Sequence, residues 1–204
     1  MILKINPTRI ELIHLRNKLK IVEQGYGLLK KKRDGLMKEF LRVIKELREL
    51  KEKLDQEIVL NFRYFIFARA FLRNKEIEVL FSTPLKKLSL ELEKKNIMGV
   101  EVPVFNLKEE GDFLNYGLSS TNVNLDLGLL GLAELLKDLI KLAELQKTAL
   151  FLSYEIEKTR RRVNALEYVH LPNLKATIKY ISTKLEERER FENIILMKTK
   201  ELIV

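Results

Sequence analysis

A chain of 204 residues, 46% hydrophobic and 33% charged, carries enough apolar content for one domain or a compact pair, which excludes a disordered tail. Cysteine is absent, so disulfides, thiolate catalysis and cysteine zinc sites are excluded, a composition that fits a reducing cytoplasm. The formal net charge of +9 admits nucleic acid, an anionic membrane surface or an acidic protein partner, and does not choose among them.

The N-terminus, from Met1 to Arg9, has no long apolar run ending at a small-residue cleavage site, so no signal peptide is expected. No apolar stretch approaches the roughly 20 residues that span a bilayer. Thr8, after Pro7 and three residues before Glu11, has the spacing of a capping box and marks a helix start. Stepping alternately by three and four from Leu12 meets Leu15, Leu19, Val22, Tyr26, Leu29, Arg33, Leu36, Phe40, Val43, Leu47, Leu50 and Leu54. Every one of these seam positions except Arg33 is apolar. A stripe with a 3.5-residue repeat predicts a coiled coil, because that period keeps one narrow face toward a partner helix. Without a proline from Thr8 to about Asn74, the helix would run on the order of 100 Å at about 1.5 Å per residue.

After this helix the texture changes. Glu76–Phe81 and Met98–Phe105 are expected as short strands, the latter from its period of two, with a short helix over Leu85–Lys95 between them. Asn106–Gly131, rich in Asn, Gly and Ser, is expected as loop. Helical spacing then returns with Leu132, Leu135, Leu139 and Leu142 and continues through Ala149, Leu152, Ile156, Val163 and Leu166. Beyond Pro172 the seam resumes with Ile178, Ile181, Leu185, Ile195 and Leu202, in a less regular phase than in the first helix.

The expected fold is mainly α: a long antiparallel two-helix coiled coil of the N- and C-terminal helices, with a small middle insert holding a short helix and a possible β-hairpin. In residue numbers it is a single elongated domain over 1–204, with the first helix over 8–75, the insert over 76–128 and the second helix over 129–203. Facing residue numbers would then sum to roughly 204, give or take a turn, which brings Arg33 level with Pro172.

Several features admit two readings. Pro172 removes a backbone hydrogen bond and either kinks the helix or ends it. Gly25, Gly27 and Gly35 either permit close approach of another helix or chain, or are tolerated weak points costing up to ~1 kcal/mol each. Lys30–Arg33 and Arg160–Arg162 are either solvated helix surface or contacts for acidic partner loops, and neither has the interleaved aromatics of a nucleic-acid platform. Phe62, Tyr64, Phe65, Phe67 and Phe71 are either core of the insert or a docking surface. His14 and His170 stand alone without ligand-spaced companions, and P-loop, Gly-x-Gly-x-x-Gly and Gly-x-Ser-x-Gly motifs are absent. No metal, cofactor or catalytic residue is therefore expected, and the chain reads as not being an enzyme.

Three segments go further. They are Asn6–Leu12 followed by Gly25-Tyr-Gly-Leu-Leu-Lys-Lys-Lys-Arg-Asp-Gly-Leu36, then Met98-Gly-Val-Glu-Val-Pro103, then Lys158-Thr-Arg-Arg-Arg-Val-Asn-Ala-Leu-Glu167 with Pro172 and Leu185-Glu-Glu-Arg-Glu189. Their order and spacing resemble the D-subunit family of archaeal- and vacuolar-type rotary ATPases, and the main departure is Asn106–Gly131. The resemblance implies a non-catalytic rotor shaft on the cytoplasmic side of a membrane. Its paired termini would project into a hexamer of alternating A and B subunits, with a small F subunit alongside. The hairpin end would sit on a membrane-proximal socket (the C or d component) above the proteolipid ring. ATP hydrolysis would turn the shaft, or proton- or sodium-driven rotation would turn it for ATP synthesis. Arg33, Phe62, Phe65, Arg160, Arg161, Arg162 and Pro172 are the candidate partner-contacting residues. The rival classes are a basic coiled-coil protein bound to nucleic acid or the ribosome, and a coiled-coil chaperone or scaffold.

Overall fold

The computed structural model describes residues 5–71, 86–111 and 122–203. Its elements are α1 (Arg9–Phe71), β1 (Lys87–Ile97), β2 (Val100–Glu110), α2 (Val123–Ala165), a π turn (Leu166–His170) and α3 (Leu171–Ile203). The fold is mainly helical, with long helices in the N- and C-terminal regions and a two-stranded antiparallel hairpin in the middle. No helix among the described residues is long and apolar enough to cross a membrane.

Helix α1 starts where the capping pattern predicts. The Glu11 amide donates to Thr8 Oγ1 at 3.3 Å and the Leu12 amide to the Thr8 carbonyl at 3.0 Å. The Thr8 amide donates to the Asn6 carbonyl at 3.0 Å, a backbone acceptor in place of the Glu11 side chain that a full capping box uses. Pairs four apart such as Arg42–Glu46, Arg161–Glu157 and Arg188–Glu192 decorate the exposed faces of the helices.

The chain divides into two compact units, Met1–Gly35 with Ile156–Val204, and Leu36–Glu155. In the first, α1 and α3 pair antiparallel. Leu15, Leu174 and Ile181 are buried together, with Leu12, Leu19, Val22, Ile178 and Leu185 packed against them. Ion pairs bridge the two helices from Arg9 to Glu189 (2.7 Å) and from Glu23 to Lys175 (2.9 Å). Facing residue numbers thus add to about 198, somewhat below the expected sum. In this register the last turns of α3 run past the start of α1 at Arg9, and Ile195, expected on the seam, is exposed.

The second unit holds the rest of α1, the hairpin and most of α2. Its helix pair is also antiparallel, fastened by Lys53–Asp138 (3.0 Å) and by a cluster of Ala68, Leu125 and Leu129 with Phe65 packed against it. Two sequence expectations fail here. Leu85–Lys95 is not a helix: from Lys87 it is strand, because Leu88, Leu90 and Leu92 alternate with polar residues and pair with Glu109, Leu107 and Phe105. Asn106–Gly131 is not all loop: β2 extends to Glu110, and α2 begins at Val123 rather than 129. Residues 76–81, expected as a strand, lie outside the described residues.

The hairpin closes in a two-residue turn. Met98 (φ 52°) and Gly99 (φ 86°) both take positive φ, the geometry whose twist matches right-twisted strands, and the Gly99 amide donates to Asn96 Oδ1 at 2.8 Å. On β2 the Phe105 amide donates to Glu144 Oε2 at 3.2 Å, which places that strand edge against α2. Pro103, two residues earlier, stands on the same edge and has no amide to offer.

Candidate partner-contact surfaces

Of the seam residues in α1, Leu15, Leu36, Val43 and Leu54 are buried, while Leu12, Leu19, Val22, Tyr26, Leu29, Phe40, Leu47 and Leu50 are half-buried. In the second helical region Ile156, Val163 and Ile181 are buried, and Leu142, Leu166, Ile178 and Leu185 are half-buried. Leu139 is a correction, at 42% exposure. The inward line there descends through Leu135, Leu142 and Ala149, so Leu139 falls outside it. Its neighbour Asp138, with only 18% of its side chain exposed, takes the inward place and accepts the ion pair from Lys53. That contact, a hydrogen bond first and charge attraction second, raises the Lys53 pKa.

The threonines at the buried positions escaped the sequence reading. Thr148, Thr159 and Thr177 are all buried. The Thr177 hydroxyl donates to the Asn173 carbonyl at 2.7 Å, four residues back, so burial leaves it satisfied within its own helix. Their heptad-compatible spacing from Leu152, Ile156 and Ile181 was the available signal.

Arg33 occupies a seam position without filling it. Its guanidinium turns to its neighbour Asp34, with Nη2 at 2.7 Å and Nε at 3.0 Å from Oδ1. The register set by the two interhelix ion pairs brings Arg33 level with about residue 165, at the edge of the π turn. Pro172 does not end the helix: α3 runs through it, directly after the π turn. The Leu171 amide donates to the Leu166 carbonyl, five residues back. Pro172 itself is exposed.

Gly25 and Gly27 face open space: a Cβ on either meets nothing within 4 Å. Close approach of the chain's own second helix is therefore not what those glycines serve. Beside them Lys30 Nζ lies 5.7 Å from the ring centroid of the half-buried Tyr26, a cation–π contact. Arg160, Arg161 and Arg162 are exposed, and Arg161 pairs with Glu157 at 3.0 Å.

The aromatic group divides. Phe65 packs inward on the Ala68 cluster, whereas Phe62 (63%), Phe67 (57%) and Phe71 (75%) are exposed, with Tyr64 at the margin. What the sequence reading missed is the partner of this group: Gly128 and Gly131 in α2. A Cβ on Gly128 would lie 3.4 Å from the Phe65 ring, and one on Gly131 would lie 2.0 Å from Asn61 Oδ1. A Gly-x-x-Gly step inside a leucine-rich run was the available signal. The hairpin is tied to α2 by Glu109, which bridges Lys86 (2.7 Å) and Lys137 (3.2 Å). Hydrogen bonds from Lys86, then Lys137, hold its carboxyl below the usual range. Among the described residues no cluster of His, Asp and Glu could hold a metal ion.

Residues 11–201 match the family of the ATP synthase D subunit. The chain is 42% identical to the V-type ATP synthase D subunit of Acetivibrio thermocellus over 207 residues, covering 100% of this chain and 93% of the relative. It is 42% identical to that of Clostridioides difficile (99% and 92% covered) and 41% identical to that of Streptococcus pyogenes serotype M1 (96% and 97% covered).

Proposed function

The chain belongs to the ATP synthase D-subunit family, and is thus a component of a V-type ATP synthase complex; from that premise we propose that it is the complex's central rotor shaft. The observation that carries this reading is the antiparallel pairing of α1 with α3 over an apolar seam bridged by ion pairs. Two helices interlocked along a seam resist twisting better than one, which a torque-carrying element requires. In this reading the chain has no catalytic site, and it turns on the cytoplasmic side of the membrane. The paired termini engage the catalytic A and B subunits. The F subunit lies alongside, and the exposed aromatic end of α1 rests on the C or d socket component.

The absence of native cysteine makes the test direct. A Phe191→Cys variant, at an exposed position of α3, is assembled into the complex and oxidised against a cysteine introduced in the facing A or B subunit. Cross-linking should abolish ATP hydrolysis, and reductant should restore it. Full turnover with the cross-link in place, or purification of the tagged chain from membranes without A and B subunits, would refute the shaft.

A further inference from the structure

We propose that the π turn at Leu166–His170 is a one-residue insertion demanded by the apolar seam, that Pro172 fixes where it forms, and that it is the point at which this helix yields first. The inference stands apart from the rotor reading, since it concerns one helix and its packing.

The spacing of inward-facing residues carries it. Before the turn, Ile156 and Val163 are seven apart, as are Thr159 and Leu166. After it, Leu171, Ile178 and Leu185 are seven apart, as are Leu174 and Ile181. Across the turn both lines step by eight: Val163 to Leu171, and Leu166 to Leu174. One extra residue in an α-helix rotates everything beyond it by about 100°, at 3.6 residues per turn. A regular helix would swing Leu174 and Ile181 away from Leu15, against which they are buried. A π turn absorbs the extra residue, because its hydrogen bonds reach five residues back, as from Leu171 to Leu166.

Pro172 then selects the location. A proline ring collides with the carbonyl four residues earlier, here that of Tyr168, and a widened turn over 166–170 moves that carbonyl aside. The insertion and the proline therefore resolve each other at one place. No residue of the turn is fully buried, only Leu166 is half-buried, and Tyr168 is 72% exposed, so the turn has less of the tertiary packing that holds the flanking segments.

Hydrogen exchange and thermal unfolding of the full chain test this with three variants. In Pro172→Ala a fast-exchanging stretch should persist between Val163 and Leu174, because the seam still demands the extra residue, but it should no longer be confined to 166–170. Deleting Tyr168 in the Pro172→Ala background should erase that contrast without lowering the melting temperature. Deleting the exposed Tyr180, inside the regular stretch, should lower it, since that deletion creates a phase error instead of removing one. The proposal is overturned if Pro172→Ala alone brings every amide between 163 and 174 to the protection of its neighbours, if it leaves the fast stretch confined to 166–170, or if the Tyr168 and Tyr180 deletions destabilise the chain alike.

Discussion

The terminal unit and the middle unit use the same antiparallel pairing of helices but hold it differently. In the terminal unit aliphatic side chains meet at the seam: Leu15, Leu174 and Ile181 form the core, and Gly25 and Gly27 lie in open space. In the middle unit the interface is made by unlike shapes. The Phe65 ring and the Asn61 amide occupy the room left by Gly128 and Gly131, and a hairpin is fastened to α2 by carboxylates. The contrast teaches that glycine in a long helix has no single meaning. Its role is decided by what stands across from the missing Cβ.

The sharpest way to probe the comparison is to remove seam side chains. Leu152, wholly buried in the middle unit, should cost about 2–5 kcal/mol when changed to Ala, through lost burial and the cavity left behind. Leu139→Ala, thirteen residues earlier on the same helix, should cost under about 1 kcal/mol, as its side chain is already partly in water. Urea unfolding of the two variants measures the difference, and equal losses would put Leu139 back on the seam.

The glycines come next. Gly27→Ala should stabilise the isolated chain by up to about 1 kcal/mol, since Ala is the better helix former and nothing obstructs it. Gly131→Ala should not. The new methyl must displace Asn61, whose side-chain amide donates to the Glu57 carbonyl at 3.1 Å, and losing that bond offsets the helix gain by about 1 kcal/mol. Combining Gly131→Ala with Asn61→Ala should recover the gain, so a double-mutant cycle should show coupling of about 1 kcal/mol. An additive cycle would mean that Asn61 does not guard this position.

The smallest effect lies in the ties of the hairpin. Glu109 has its pKa lowered in the folded chain, so its contribution to stability is present above the unfolded value of about 4.3 and fades as pH falls through the lower folded value. Glu109→Gln should flatten the stability profile in that acid range and leave neutral-pH helix content unchanged, by circular dichroism across a pH series. The ion pairs of the terminal unit, Arg9–Glu189 and Glu23–Lys175, should be untouched by that substitution.

Much of this was legible in the residues. The heptad from Leu12 to Leu54 located α1 and its inward face because the period of a helix is independent of what it packs against. Pro172 and the less regular phase beyond it signal a disturbance, but the eight-residue step depends on which of the many leucines face inward, and only packing puts Leu171 and Leu174 on that line. Strand β1 was misread since Leu88, Leu90 and Leu92 stand among Lys and Glu, residues equally at home on a helix surface. The start of α2 was hidden because Gly128 and Gly131 read locally as breakers, while their function depends on Phe65 and Asn61, more than sixty positions away. The candidate contact residues were readable as exposed chemistry. Which of them meets a partner depends on surfaces that belong to other chains.

The edge of β2 has a consequence for how the chain avoids self-association. Two successive outward positions there offer no free donor, since Pro103 lacks an amide and that of Phe105 is held by Glu144. An incoming strand would find no donor at those two positions. Growth of the sheet is left to β1, where Glu91, Glu93, Lys94 and Lys95 would have to be stripped of water or set against like charges in a stack of identical hairpins. The hairpin thus carries its own guard against aggregation on both sides, by removal of donors on one and by charge on the other.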